Sequence, residues 1–166
     1  VIEVVEEKYA GRQVLFFTEY KATQALLMSA LIKRFGDGCV TFINGDNKIE
    51  GVRRQDGGIL NIAEDRYNAA DRFNQAQVRF LVSTEAAGEG IDLQENCWSL
   101  IHVDLPWNPM RLHQRVGRLN RYGQKQAVEV VTLRNPDTVE ARIWDKLNEK
   151  IEKLNAGDIG ATVKLK

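Results

Sequence analysis

Cysteine is scarce in this chain, at two in 166 residues, and Cys39 and Cys97 stand far apart inside apolar segments. That argues against a disulfide framework or a zinc site and makes a reducing, cytoplasmic setting the expectation. No run approaches the roughly 18 apolar residues of a membrane-crossing helix, so no membrane partner is expected. Net charge is also lacking. The 23 basic residues balance 23 acidic ones, which excludes a polybasic tail, an acidic solvating tail and a histone-like binder. The opening Val1-Ile2-Glu3-Val4-Val5-Glu6-Glu7 is acidic and without an initiator Met. It does not read as a signal peptide, and the chain is expected to be a piece of something longer. A phosphate loop of the form Gly-x-x-x-x-Gly-Lys-Ser/Thr is missing, as is any strand ending in an Asp-Glu pair fit to hold Mg²⁺. Finally, residues 105–128 contain no Asp or Glu, although 28% of the chain is charged.

What is present reads as one domain of alternating strands and helices. Short β-branched and aromatic runs recur at 14–18, 39–43, 79–83, 100–105 and 128–133, each the length of a strand buried on both faces. Between them lie helical periodicities: Ala22, Leu26, Leu27, Ala30 and Leu31, then Tyr67, Ala70 and Phe73, then Leu112, Val116 and Leu119. This alternation predicts an α/β fold, a parallel sheet sandwiched by helices. Residues 1–12 read as a linker and 13–134 as the domain proper. From Asn135-Pro136-Asp137 onward, Val139, Ile143, Leu147, Ile151 and Leu154 predict a last helix and tail over 135–166. Residues 44–58, with four glycines and balanced charges (Lys48, Arg53 and Arg54 against Asp46, Glu50 and Asp56), read as a long loop.

The acid-free run carries Arg111, Arg115, Arg118 and Arg121. Asn108 is a suitable cap and Pro109 a suitable first-turn residue for a helix through them. At 100° per residue the four arginines fall at about 0°, 40°, 340° and 280°, on one broad face opposite Leu112, Val116 and Leu119. Like charges so spaced oppose the helix, and guanidinium forks suit phosphate oxygens. The pattern therefore points to an anionic partner, or to acids supplied from elsewhere in the fold. Directly after the third strand, Ser83-Thr84-Glu85-Ala86-Ala87-Gly88-Glu89-Gly90-Ile91-Asp92 offers hydroxyls, tight glycine turns and an acid able to accept from a ribose. In a parallel sheet ligands bind at the carboxyl ends of strands, where this segment lies. Arginines for a phosphate without a cradle for it read as half of a site.

Two segments carry a specific resemblance. Gln114-Arg115-Val116-Gly117-Arg118-Leu119-Asn120-Arg121 resembles motif VI of superfamily-two helicases, and Ser83-Thr84 through Gly88-x-Gly90-x-Asp92 resembles motif V. Val14 through Tyr20 resembles motif IV. Trp107-Asn108-Pro109, Arg121-Tyr122-Gly123-Gln124 and Thr138-Val139-Glu140-x-Arg142-Ile143 are similar to Swi/Snf-type DNA translocases, nearest the bacterial RapA-like branch.

The resemblance implies the second RecA-like lobe of a two-lobed ATPase of the bacterial cytoplasm or nucleoid. ATP with Mg²⁺ would lie between the lobes, with the Mg²⁺ ligands on the N-terminal lobe and none here, and DNA would run across both. It implies Arg118 and Arg121 as arginine fingers. Gln114, Arg115, Gly88, Gly90 and Asp92 would lie at the nucleotide, and Thr18, Lys21 and Thr84 at the nucleic-acid backbone. The alternatives are a lobe of an RNA helicase and a non-catalytic docking module. A dinucleotide-binding enzyme is disfavoured, because residues 18–23 after the first strand contain no glycine.

Overall fold

The computed structural model describes residues 1–85, 90–106, 108–133 and 164–165. Five of the runs form strands close to where the sequence puts them: β1 (Val14–Thr18), β2 (Val40–Ile43), β5 (Phe80–Thr84), β6 (Ser99–His102) and β7 (Glu129–Thr132). With the short β8 (Lys164–Leu165) they make one parallel sheet in the order β2-β5-β1-β6-β7-β8. Strand residues alternate between two cores. Leu15 and Phe17 face one cluster with Leu81 and Leu100, and Val14 and Phe16 face another with Phe80, Val82 and Ile101. Both faces are covered, which is why the strands read as unbroken apolar runs.

The helices follow their end signals. Helix α2 (Lys21–Phe35) stops at Gly36, whose φ of 97° only glycine adopts easily. Asp65 caps α3 (Arg66–Asn74) by accepting from the Tyr67 amide at 2.9 Å. Asn108 caps α4 (Pro109–Val116) by accepting from Met110 N at 3.0 Å, with Pro109 in the first turn. Helix α4 is shorter than its arginine pattern suggests. It ends at Val116, so Arg118 and Arg121 sit on the following turns.

Two further departures add structure. Residues 2–8, inside the expected linker, form helix α1 (Ile2–Lys8), and Val5 and Tyr9 are fully buried in the α2-side core. Arg79 holds this segment. Its guanidinium stacks 4.8 Å from the Phe35 ring and 4.7 Å from Phe80, and donates to the carbonyls of Tyr9 and Arg12. Second, the expected loop at 44–58 is instead most of a β-hairpin. Strands β3 (Lys48–Arg53) and β4 (Ile59–Ala63) pair antiparallel, apart from the main sheet. Ile49 and Val52 are buried against the α2 side, while Lys48 and Arg53 are exposed. A bulge between Ile49 and Val52, with Gly51 at φ 73°, breaks the period-two alternation and hides β3 in the sequence. The expected helix over 135–154 lies outside the described residues.

Candidate functional site

Strands β1, β2 and β5 all end at the same edge of the sheet, and the residues just past them converge. Glu19 and Lys21 follow β1, Asp46 follows β2, and Thr84 ends β5 with Glu85 just after it. With Arg111 of α4 they line an open cleft of about 430 Å³. Lys21 pairs with Asp46, while Arg111 reaches Glu85 at 2.6 Å and Glu19 at 3.5 Å. Burial and the neighbouring Glu85 and Asp104 carboxylates push the Glu19 pKa up, against the pull of Arg115 and Arg111.

Beneath the cleft lies a buried polar cluster. Arg115 is only 2% exposed. Its Nε donates to Glu85 Oε1 at 2.8 Å, and its Nη1 donates to the Asp104 carbonyl at 2.9 Å and lies 3.3 Å from His102 Nδ1. Its guanidinium sits 5.4 Å from the Phe17 ring. Burial, and then the charge of Arg115, drive the His102 pKa down to about 3, so this ring is neutral. Thr18, fully buried, donates to Asp104 Oδ2 at 2.5 Å, and the same carboxylate accepts from the Glu19 amide.

The motifs imply a place at the nucleotide for Arg115 and at the nucleic-acid backbone for Thr18. Both stand behind the surface, committed to partners inside the fold. Arg111, Arg115 and Arg121 each have an acid partner from outside 105–128, so of the two readings of the arginine pattern it is acids from elsewhere in the fold that these three meet. One of those acids, Asp104, immediately precedes the acid-free run. Lys21 and Thr84 do line the cleft, although Thr84 is nearly buried.

A second patch lies beyond β5. Gly90 has φ 79°, and the exposed Asp92 pairs with Arg121 from the turn after α4. Arg121 Nε also donates to the Gly117 carbonyl at 3.1 Å. The Leu93 amide donates to the Arg118 carbonyl, and Gln124 Nε2 donates to the carbonyls of Gln94, Cys97 and Leu119. The segments after β5 and after α4 are thus laced together. The Arg118 side chain is nearly buried here, and Gln114 is exposed on α4. Gly88 lies outside the described residues. Among the described residues no group of three His, Cys, Asp or Glu could hold a metal ion.

The model of the family described as helicase conserved C-terminal domain matches residues 1–123. The chain belongs to that family. The ATP-dependent helicase YqhH of Bacillus subtilis is 37% identical over 139 residues, 84% of this chain and 22% of that protein. The CHD3-type chromatin-remodelling factor CHR7 of Arabidopsis thaliana is 32% identical over 89% of this chain and 11% of its own length. The RNA polymerase-associated protein RapA of Yersinia pestis is 34% identical over 79% of this chain and 12% of its own length. The helicase domain thus spans less than a quarter of each relative. Two solved structures share its fold. The C-terminal part of the Fun30 ATPase domain has TM-score 0.65 at 22% identity, covering 86% of this chain and 40% of that one. The yeast DEAD-box splicing factor Prp28 has TM-score 0.66 at 18% identity, covering 92% and 30%. The sheet of this helicase domain is therefore RecA-like, as the motifs implied.

Sequence reasoning missed Glu19, Glu85, Asp46 and Asp104 as parts of the site. Glu85 had a signal, adjacency to Thr84 in the motif V segment. Asp104 had none, since its role comes from β6 lying beside β1.

Proposed function

We propose that this helicase domain is the second lobe of an ATP-dependent DNA translocase of the Swi/Snf type. In this reading it acts on ATP held against a first lobe and on DNA lying in the cleft. The observation that carries the reading is the Arg121–Asp92 pair. Two residues 29 positions apart, each assigned to the nucleotide by its own motif, meet on an exposed rim beside Gly90. Asp92 accepts from the ribose, and Gln114, exposed on α4, is the nucleotide-side glutamine of motif VI.

Arg121 and Arg118 meet the charge that develops on the γ-phosphate as the lobes close. Hydrogen bonds tie residues 118–124 to residues 92–97 and hold the two segments side by side at the nucleotide. The Mg²⁺ that accompanies ATP is held by the first lobe, together with the phosphate loop. Lys21 and Thr84 face the DNA backbone, so binding is independent of sequence and weakens with salt.

The test is turnover by the full-length helicase. Arg118→Ala and Arg121→Ala are each expected to lower DNA-stimulated ATP hydrolysis by about 10³-fold or more. Rates within about twofold of wild type would remove the finger role. Stimulation by RNA but not by duplex DNA would replace the substrate.

A further inference from the structure

Glu85 serves two arginines of different character. Its Oε2 holds Arg111, half exposed in the cleft, at 2.6 Å, and its Oε1 holds the buried Arg115 at 2.8 Å. The two arginines are four residues apart, one turn of α4, so a single carboxylate reaches both. Arg115 stays, because its buried guanidinium also donates to the Asp104 carbonyl at 2.9 Å and faces the Asp104 carboxylate at 3.6 Å, partners it would lose by moving out. Arg111 can leave, because an exposed pair contributes little. Phosphate oxygens offer its fork two parallel hydrogen bonds in exchange.

We propose that Glu85 is a shared counter-ion that passes occupancy of the cleft to Arg115. A phosphodiester entering the cleft draws Arg111 off Glu85, and Glu85 then closes on Arg115 with both oxygens. Arg115 lies in the last turn of α4, and its carbonyl accepts from the Arg118 amide at 3.2 Å. A change in how Arg115 is seated is therefore felt at the start of the turn that carries Arg118 and Arg121. Arg115 is a positioning residue in this scheme. The proposal rests on the nucleic-acid reading of the cleft.

Two measurements on this chain test it. In the first, binding of a labelled duplex oligonucleotide is followed by fluorescence anisotropy. Arg111→Ala weakens binding and lowers the salt slope by about one. Glu85→Gln tightens binding by about threefold, because the nearer of the two carboxylates on Arg111 is gone while Asp104 still faces Arg115. In the Arg111→Ala background, Glu85→Gln has a smaller effect, that of one negative charge removed from the cleft. Additive effects of the two substitutions overturn the proposal.

The second measurement needs no DNA and only the exposed substitution Arg111→Ala, which removes no core contact. The Arg115 Nε–H resonance, assigned by its loss in Arg115→Lys, exchanges with solvent more slowly in Arg111→Ala than in wild type. Exchange at the wild-type rate overturns the shared counter-ion whatever the cleft binds. Absence of duplex binding by the wild-type chain, with Arg115 still responding to Arg111→Ala, overturns the nucleic-acid reading and with it the phosphodiester step.

Discussion

His102 is buried and neutral with its pKa near 3, against an ordinary 6.5. The unfolded chain takes up a proton below pH 6.5 and the folded chain does not, so His102 lowers stability as pH falls from 6.5 toward 3. Its contribution to the slope approaches about 1.4 kcal/mol per pH unit. Chemical denaturation between pH 6.5 and about 5, above most carboxylate titrations, should show this slope in wild type and lose it in His102→Gln. An equal slope in both proteins would mean that another group carries the acid sensitivity. The same neighbourhood explains why single residues were the least legible level in the sequence. Arg111 and Arg115 look alike one helical turn apart, and nothing along the chain says that the second turns inward toward Phe17 and Asp104. Burial of a charge is decided by where β1, β5 and β6 bring their ends, not by the local pattern.

Elements were far more legible, and the exceptions have physical causes. The sheet strands are buried on both faces, so each reads as an apolar run whatever its neighbours. Asn108-Pro109 and Asp65 mark helix starts through bonds they make locally. Strand β3 escaped because its bulge separates Ile49 and Val52 by three positions, a spacing that matches neither strand nor helix over so short a stretch. Helix α1 escaped because acidic residues surround its few apolar ones, and only Val5 within it is fully buried. The Tyr9 ring just beyond α1 anchors the segment. Tyr9→Ala should lower the unfolding free energy by about 3–5 kcal/mol, read from urea denaturation. A loss under about 1 kcal/mol would show that residues 1–12 are carried by the domain and do not hold it together.

For the whole molecule, a zero net charge conceals a deliberate distribution. Acids just past the ends of β1, β2, β5 and β6 face the bases of α2 and α4, so the cleft is close to self-neutralised. The class of molecule was legible from the motifs, because each keeps its residue types in order along the chain. The pairing across the cleft was not, because it joins residues as far apart along the chain as Glu19 and Arg111. Arginines without a phosphate loop lead to one more expectation. The purified 166-residue chain should show no ATP turnover above background, with or without DNA, in a steady-state phosphate-release assay. Turnover by the chain alone would contradict the division of the site between two lobes.

The β3–β4 hairpin starts beside Asp46 at the cleft, and its tip ends by Asp37, which accepts from the Gln55 amide at 3.3 Å. The tip closes on itself through the Arg54 amide and the Gly58 carbonyl, and residues 54–58 are exposed. It therefore points to the amino-terminal edge of the sheet, away from the cleft. A fluorophore or a short peptide tag grafted between Asp56 and Gly57 would leave every residue that lines the cleft untouched, giving a handle on the domain that does not disturb the opposite edge.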